Sequence, residues 1–343
     1  MKPKLPNVSI LGDCDISTHS FQSGFKDKLN AFVGQKQSLG FPFEGSITLL
    51  RKFDKMCYEH FPVQSLLTKE ICFAFAVKRP TESGNSFRNR ISPIREFAKF
   101  LITRGEEAYV IPTNLVKKSP RHMPYIYSKD DIVAIWKECD NLEPIAHMPA
   151  RHITIPAIVR TLYCCGLRPI EATRLTLDDV DLTQGKLYIQ ESKSRKDRIV
   201  MMPDDLAAYL KIYDDKTKSI FPNRKWFFVD WSGDFCKTRW INAVFLPMRR
   251  KLGLVGIGGK MPRLYDFRHT FATHRLYMWM RDGVDLEAML PYLSAYMGHA
   301  QLSDTYYYIH LIPEQYKIIA GFDFSRYEEL LPDIEDCEGG ELS

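Results

Sequence analysis

The sequence predicts a mainly α-helical protein with one small β-sheet. Apolar residues recur every three or four positions along much of its 343 residues, which is the period of helices that bury one face. Only two short runs, KLYIQ and RIVMM, have the composition of strands, and the charged turn ESKSRKD between them favours a hairpin. No segment repeats at a period of about 20 to 50 residues, which argues against a solenoid.

Residues 1–112 are predicted to form a helical domain. Two stretches in it, GSITLLRKFDKMCYEH and SFRNRISPIREFAKFLITRG, show the helical period, and Gly105 provides a stop signal after the second. Their apolar positions are Ile47, Leu50, Phe53, Met56 and Cys57 in the first stretch and Phe87, Ile91, Ile94, Ala98 and Leu101 in the second. The other face of the second helix carries Arg88, Arg90 and Arg95, which form either a solvated surface or a row of phosphate contacts.

Proline and basic residues mark a linker at residues 113–125. The stretch IPTNLVKKSPRHMP has three prolines, three Lys or Arg residues and little apolar periodicity. A basic linker of this kind can lie along a phosphate backbone. A second domain, residues 126–326, and an acidic tail, residues 327–343, are expected to follow.

The second domain is predicted to be helical around the hairpin. Ser128 and Asp131 form a capping-box pattern at the start of its first helix. A longer apolar helix, ITIPAIVRTLYCCG, ends at Gly166. Three further stretches have the helical period, namely SGDFCKTRWINAVFLPMRRKLG, FRHTFATHRLYMWM and LEAMLPYLSAYMG.

Charge and composition narrow the class of protein. The net charge is +5, and removing the seven acidic residues of the tail, which has no Lys or Arg, leaves +12 on residues 1–326. Such a basic body favours a polyanionic partner. No apolar run approaches the roughly 18 residues of a membrane span, and the first residues lack a signal-peptide stretch, so we expect a cytoplasmic protein without a membrane partner. The eight cysteines have no metal-ligand spacing.

Four segments of the second domain contain residues suited to phosphate chemistry. In CCGLRPIEATRLTLDDVDL, Arg168 stands between a helix-ending glycine and a proline that favours the first helical turn. An arginine at such a corner has a fixed direction, and its fork of donors suits a phosphate. In QESKSRKDRIVMMP, the turn of the hairpin presents Lys193, Arg195 and Lys196.

The third segment, RLYDFRHTFATH, contains Tyr265 and Arg268 three residues apart. Its two histidines, His269 and His274, are five residues apart, which is about 140° around a helix. They are therefore not expected to share a metal. Neither a metal nor another cofactor is predicted.

The fourth segment, MGHAQLSDTYYYIH, places Tyr308 nine residues after His299. On one continuous helix the two side chains would face opposite sides. Gly298 can end one helix and Ser303 can start another, so the two side chains can converge.

In this order, the four segments resemble the motifs of the tyrosine recombinase (phage integrase) family, across residues 125–313. The resemblance implies a helical core-binding domain ahead of a mixed α/β catalytic domain. It also implies that a tyrosine attacks a DNA phosphate and forms a 3′-phosphotyrosyl link. The implied catalytic residues are Tyr308 as nucleophile, Arg168 and Arg268 as phosphate ligands, His299 and Tyr265 as hydrogen-bond donors, and Lys193 as the acid for the leaving 5′-oxygen.

Four residues depart from the family pattern or leave its register open. Tyr265 stands where the family has a histidine, and a phenol can donate a hydrogen bond but is a poor general base at neutral pH. Lys196 is an alternative to Lys193 in the same turn. Tyr306 and Tyr307, which precede Tyr308, are predicted to pack or to face DNA.

The predicted function is that of a site-specific DNA recombinase or integrase of a bacterial mobile element, working without metal or ATP. Its predicted partners are double-stranded DNA and further copies of the chain, two on each site and four in the synapse. Two alternatives remain open. One is a sequence-specific DNA-binding protein whose catalytic set has decayed, for which Tyr265 is the best argument. The other is a type IB topoisomerase or a telomere resolvase, which use the same chemistry.

Overall fold

The computed structural model describes residues 20–40, 43–115, 123–190 and 197–311. The chain divides into two compact units, Met1–Arg121 and His122–Ser343. Helices dominate the described part of both units, and three short strands form one sheet in the second, so the predicted fold class is confirmed. No helix within the described ranges combines the length and the apolar character that crossing a membrane requires.

In the described part of the first unit, four helices enclose the core. They are α1 (Lys26–Ser38), α2 (Glu44–His60), α3 (Lys69–Phe75) and α4 (Gly84–Thr103). The apolar positions predicted for α2 and α4 are buried or packed against this core, because the helical period brings them to one face. Phenylalanine rings fill the centre, where the Phe32 centroid lies 5.6 Å from that of Phe97 and 5.3 Å from that of Phe100.

The arginines of α4 do not form one exposed row. Arg90 is only 6% exposed, and its Nε donates to Oε1 of Glu82 at 2.8 Å. The same guanidinium donates to the backbone oxygen of Phe75. Arg95 donates through Nε to the backbone oxygen of Ile111 at 2.7 Å. Both interpretations drawn from the sequence are therefore wrong for Arg90, because its side chain holds the loop between α3 and α4 instead of facing outward.

The described part of the second unit contains the sheet and the remaining helices. Its helices are α5 (Lys129–Asp140), α6 (Arg151–Cys164), α7 (Pro169–Thr173), α8 (Asp204–Ile220), α9 (Thr238–Lys251), α10 (Asp266–Arg281), α11 (Leu286–Met297) and α12 (Ser303–Tyr306), with 3-10 turns at Ile257–Gly259 and Ile309–Leu311. The strands β1 (Val180–Asp181), β2 (Lys186–Ile189) and β3 (Arg198–Met201) form an antiparallel sheet in that order. One face of the sheet buries Leu187 and Val200 in a core shared with α6 and α10.

Local signals place the first helices of this unit as predicted. The Ser128 hydroxyl accepts from the backbone N–H of Asp131 at 3.0 Å, and the Asp131 carboxylate accepts from the backbone N–H of Ser128 at 2.9 Å. This reciprocal pair is the predicted capping box at the start of α5. Helix α6 stops just before Gly166, whose φ of 60° needs a glycine.

Helix α9 is shorter than its sequence predicts. The helical pattern begins at Ser232, whereas the helix begins at Thr238. The carboxylate of Asp230 accepts hydrogen bonds from the backbone N–H and the hydroxyl of Ser232, at 2.8 and 2.7 Å. These local bonds hold the segment in a turn and compete with the helix.

Candidate active site

Carbonyl groups near the ends of helices hold the two predicted arginines. Arg268, on α10, donates through Nη1 to the backbone oxygen of Gly166 at 2.8 Å and through Nη2 to that of Met297. Arg168, at the N-cap of α7, donates through Nη2 to the backbone oxygen of Gly298 at 3.0 Å. The carbonyl groups at helix C-termini carry partial negative charge, so they fix the position of both guanidinium groups.

One carboxylate, that of Glu171, lies among three guanidinium groups. It accepts from Nη1 of Arg168 at 2.6 Å and from Nη2 of Arg198 at 2.8 Å, and Nη1 of Arg268 lies 4.0 Å away. Burial acts to raise the pKa of Glu171, but the hydrogen bonds and charge of Arg198 and the charge of Arg268 outweigh it and lower this pKa to about 2. Three positive groups therefore face one negative group, and the excess positive charge suits an anion.

Arg198 was not predicted as a site residue. It is the first residue of β3, where it pairs with Ile189, and its Nε donates to the backbone oxygen of Tyr296 at 2.8 Å. In the sequence it closes a run of charged residues that has the composition of a solvated turn. Nothing in that run separates Arg198 from its neighbours, because its contact with Glu171 depends on the packing of the sheet.

His299 follows the left-handed Gly298 that ends α11. Its Nδ1 lies 2.7 Å from Oγ1 of Thr305. Burial lowers the pKa of His299, and the positive charges of Arg268 and Arg168 lower it further, to about 3. The imidazole is therefore neutral at neutral pH, where it can donate one hydrogen bond but resists gaining a proton.

The structure brings Tyr308 to the same cluster. The chain breaks its helix at Gly298, and the rings of His299 and Tyr308 stack with centroids 5.8 Å apart and planes 17° apart. The Tyr308 side chain is 3% exposed, and its hydroxyl interacts with the guanidinium of Arg268. Burial raises the pKa of Tyr308 to about 12, against the opposing charges of Arg268 and Arg168. The hydroxyl therefore faces arginines and not a wholly apolar core.

The other two tyrosines of the run, Tyr306 and Tyr307, are half-buried. Both pack against the apolar cluster formed by α10, α11 and the segment that carries Tyr308. Their packing agrees with one of the two roles predicted for them.

Tyr265 and His269 lie one helical turn apart beside Tyr308. Tyr265 stands at the N-cap of α10, is 37% exposed and interacts with the guanidinium of Arg168. The centroid of the His269 ring lies 5.1 Å from that of Tyr265 and 5.6 Å from that of Tyr308. The sequence does not reveal this contact of His269, because its proximity to Tyr308 depends on how the C-terminal segment packs on α10.

The predicted acid, Lys193, lies outside the described residues. The strands on both sides of it form the predicted hairpin, with Ile189 opposite Arg198. Across the described parts of the chain, no group of three or more His, Cys, Asp and Glu side chains is placed to hold a metal ion.

Comparison with known proteins decides the family. The sequence matches the phage integrase family over residues 127–315, which is more than half of the chain. The chain belongs to the phage integrase family. The family predicted from the four segments is confirmed, and with it the class of enzyme, a tyrosine-type site-specific recombinase.

Two relatives and one solved structure show how far the similarity of this integrase-family chain extends. It is 28% identical over 286 residues to "Putative integrase/recombinase y4rE" of Sinorhizobium fredii, which covers 82% of this chain and 90% of that protein. It is 27% identical over 253 residues to tyrosine recombinase XerC of Chlamydia muridarum, covering 72% and 74%. The chain also aligns with the crystal structure of XerH site-specific recombinase bound to palindromic difH substrate. The TM-score is 0.59 at 17% identity, and the alignment covers 88% of this chain and 84% of that one. This similarity supports a shared fold.

Proposed function

We propose that this protein is a site-specific DNA recombinase of a bacterial mobile element, which cuts and rejoins double-stranded DNA through a 3′-phosphotyrosyl intermediate. The observation that carries the proposal is the position of the Tyr308 hydroxyl, beside the guanidinium of Arg268 and within the field of Arg168. A nucleophile and two phosphate ligands are then together, as phosphoryl transfer to a tyrosine requires.

In the cleavage step, the oxygen of Tyr308 attacks the scissile phosphorus. Arg168 and Arg268 neutralise the charge that grows on the nonbridging oxygens, and His299 and Tyr265 donate hydrogen bonds to them. The phosphodiester bond is exchanged for a phosphotyrosyl bond, so its energy is kept. The 5′-hydroxyl of another strand can then reverse the step, and the reaction needs neither a metal nor ATP.

The leaving 5′-oxygen needs a proton, and we assign its donation to Lys193, with Lys196 as the alternative in the same turn. A lysine suits this role because its ammonium group carries donors at the end of a flexible stem. Arg198 follows this turn directly and is tied to Glu171 by two hydrogen bonds, at 3.1 and 2.8 Å. Arg198 thus ties the start of β3, which follows Lys193 and Lys196 in the sequence, to the arginine cluster.

The contacts that orient the arginines leave donors for a phosphate. A guanidinium carries five N–H groups, and Arg168 uses Nη1 for Glu171 and Nη2 for Gly298. Donors that are already oriented need no rearrangement as charge develops, which is why such sites stabilise a transition state.

Double-stranded DNA is the proposed substrate, bound by two protomers on each site and by four in the synapse. XerH, which has a similar fold, was solved bound to difH DNA. The charge of +12 on residues 1–326 supports a polyanionic partner. We assign residues 1–112 to core binding, 113–125 to a linker along the DNA, 126–326 to catalysis and 327–343 to an acidic tail.

The test uses nicked duplexes that tile the genomic DNA flanking the gene, so that cleavage traps the protein on its site. The wild-type protein is expected to form an adduct that survives denaturing electrophoresis. Tyr308→Phe is expected to form none, because it lacks the nucleophilic oxygen, while its mobility shift on the same duplex stays near that of the wild type. Tyr307→Phe is the matched control and should still form the adduct, so the reverse outcome would assign the nucleophile to Tyr307.

A second candidate is a sequence-specific DNA-binding protein without catalytic activity. It is favoured by Tyr265, which stands where the family has a histidine. The same duplexes distinguish the two functions, because a binding protein shifts them and is released completely in denaturant.

A further inference from the structure

The Tyr308 hydroxyl must lose its proton during the attack, and the site needs a group to accept it. Burial raises the pKa of Tyr308 to about 12, so the phenol does not ionise by itself at neutral pH. The family uses a histidine at the position of Tyr265, whereas a phenol oxygen is only weakly basic. The acceptor must therefore come from elsewhere in the site.

His299 is poorly suited to accept this proton. Its Nδ1 is engaged with Oγ1 of Thr305 at 2.7 Å. Burial and the nearby charges of Arg268 and Arg168 lower the pKa of His299 to about 3, so a proton on this imidazole would be strongly disfavoured. His299 can therefore serve as a neutral hydrogen-bond donor, but a different base is required.

His269 packs against the Tyr308 ring from α10. It lies four residues after Tyr265 on α10, and both side chains point to the same face of that helix. Its ring centroid is 5.6 Å from that of Tyr308, and the two rings are tilted by 50°. Because they are not stacked, an edge of the imidazole can turn toward the hydroxyl. Catalytic hydrogen bonds are often long before substrate binds and shorten in the reactive complex.

We propose that His269 is the general base of this enzyme: it accepts the Tyr308 proton during cleavage and returns it during rejoining. The inference rests on the proposed function and names a residue that the family pattern does not assign to this step. It also explains how Tyr265 can replace a histidine. Tyr265 keeps the hydrogen-bonding part of the role, and the proton is taken one helical turn away.

The protons balance without a further reactant. As the bond from the Tyr308 oxygen to phosphorus forms, the bond from phosphorus to the 5′-oxygen breaks. The phenol proton moves to a ring nitrogen of His269, and the 5′-oxygen receives a proton from Lys193. In the rejoining step a 5′-hydroxyl attacks the phosphorus and gives its proton to the neutral amine of Lys193. The bond from phosphorus to the Tyr308 oxygen breaks, and the imidazolium of His269 returns a proton to that oxygen.

Among the described residues, titratable groups contact or influence His269 from its own helix and from the C-terminal segment. Tyr265 faces it from its own helix, Tyr307 and Tyr308 face it from the C-terminal segment, and a charge on His269 lowers the pKa of His299. The two imidazoles therefore disfavour being charged together. His299 is held neutral by the arginines, which leaves His269 as the other imidazole in contact with the Tyr308 ring.

The experiment measures single-turnover cleavage of the trapping duplex by the full-length protein between about pH 5 and 8, where imidazoles titrate. A base must be unprotonated to act, so the wild-type rate is expected to rise with pH and then level. His269→Gln should lower the rate by about 100-fold or more and remove this rise, because general bases contribute effects of this size. Binding to the uncut duplex should be unchanged.

His274→Gln is the matched control. His274 lies on the same helix, about 140° around it from His269, and its Nδ1 is 3.0 Å from the hydroxyl of Tyr163. This variant is expected to keep the wild-type rate and pH profile. His269→Asn serves as a second variant where His269→Gln does not fold, as judged by its thermal melt.

A rescue experiment distinguishes a general base from a residue that only supports the packing of the site. Adding Tyr265→His to His269→Gln returns an imidazole to the site and should restore both the rate and its rise with pH. If His269→Gln cleaves like the wild type, or if its rate falls with the pH profile unchanged and without rescue, the inference is overturned while the proposed function stands. A wild-type protein that forms no adduct overturns the proposed function as well.

Discussion

Arg90 in the first unit and Arg268 in the second are both buried, yet the charges around them differ. Among the described residues, Arg90 faces one carboxylate, that of Glu82 at 2.8 Å, together with backbone oxygens, so its charge is matched one to one. Arg268 shares the carboxylate of Glu171 with two other guanidinium groups and is held mainly by backbone oxygens. One cluster is neutral, and the other has an excess of positive charge.

This difference shows that burial alone does not tell a structural arginine from a functional one. A buried charge needs compensation, and a neutral ion pair with backbone acceptors provides it completely. Carboxylates can match the positive charge of a cluster only in part. Such a cluster is still stable when the partial negative charges of backbone carbonyl groups supply the rest, as that of Gly166 does for Arg268. Such a cluster is stabilised further when it binds a phosphate. A phosphate bound at Arg90 would instead have to displace Glu82, its present partner.

The largest expected effect comes from removing the charge of Arg268 from the arginine cluster of the second unit. Arg268→Met keeps an apolar side chain but removes a donor that faces the nucleophile. We expect single-turnover cleavage of the trapping duplex to slow by about 100- to 1,000-fold, as when one donor for a developing negative charge is lost. The rate is measured with protein in excess, so that weaker binding does not contribute.

Arg90→Met is the matched control for this comparison. It leaves the carboxylate of Glu82 without its partner, so the first unit should lose about 3–5 kcal/mol of stability. Cleavage by protein that remains folded should proceed at the wild-type rate. A strong loss of cleavage chemistry in Arg90→Met, with α4 still protected from hydrogen exchange, would contradict the distinction between the clusters.

Low pH should weaken the ion pairs around both Arg90 and Arg268. The Glu171→Gln variant should show how much of the stability lost at low pH comes from the cluster around Arg268. The pKa of Glu171 is about 2 in the folded protein, below the value of about 4.3 for an unfolded chain, so the ionised carboxylate stabilises the fold above pH 4.3. This stabilisation, roughly 3 kcal/mol, is lost as the pH falls toward 2. Hydrogen exchange of second-unit peptides between pH 5 and 2 should therefore depend less on pH in Glu171→Gln.

The pKa of Glu82 is also about 2, and the hydrogen bond from Arg90 is its main cause. Glu82→Gln should therefore change the acid response of first-unit peptides and leave those of the second unit as in the wild type. An acid response that moves in both units with either substitution would argue against two separate clusters.

The smallest effects are expected at two glycines that follow helices, one in each unit. Gly105 has φ 80° and open space where a Cβ would lie, so Gly105→Ala should cost about 1 kcal/mol through backbone strain alone. At Gly166, with φ 60°, a Cβ would lie 2.4 Å from the ring of Phe271, and about 2 kcal/mol is expected. Only Gly166→Ala should also slow cleavage, because its carbonyl group holds Arg268. Thermal melts and cleavage rates of both variants check this. Cleavage that is slowed equally in Gly105→Ala and Gly166→Ala would contradict the role of the Gly166 carbonyl group.

Elements with a local signal were predictable. The capping box of α5, the glycine after α6 and the apolar periods of α2, α4, α10 and α11 all depend on residues close together in the chain. Strand β1, with two residues, is too short to show a period. Helix α8 was not predicted because its buried face includes Tyr213 and Thr217, which look polar in the sequence.

The candidate site was predictable in part for the same reason. The spacing from His299 to Tyr308 contains its own helix break, so the convergence of these two side chains follows from local sequence. Arg198 and His269 differ, because each gains its place through an element that is distant in the chain. A charged turn and a helical histidine have no local feature that reveals those neighbours.

The amino-acid sequence by itself determined the helical architecture, the hairpin and the order of the four motifs, because helix periods, caps and glycine stops act over a few residues. Only the tertiary structure decided the charge balance around each arginine and the neighbours of Tyr308. Both depend on long-range packing, which brings together groups that are more than 100 residues apart, such as Gly166 and Arg268. Whether a buried charge is neutralised or left available for a ligand is therefore set when the elements pack.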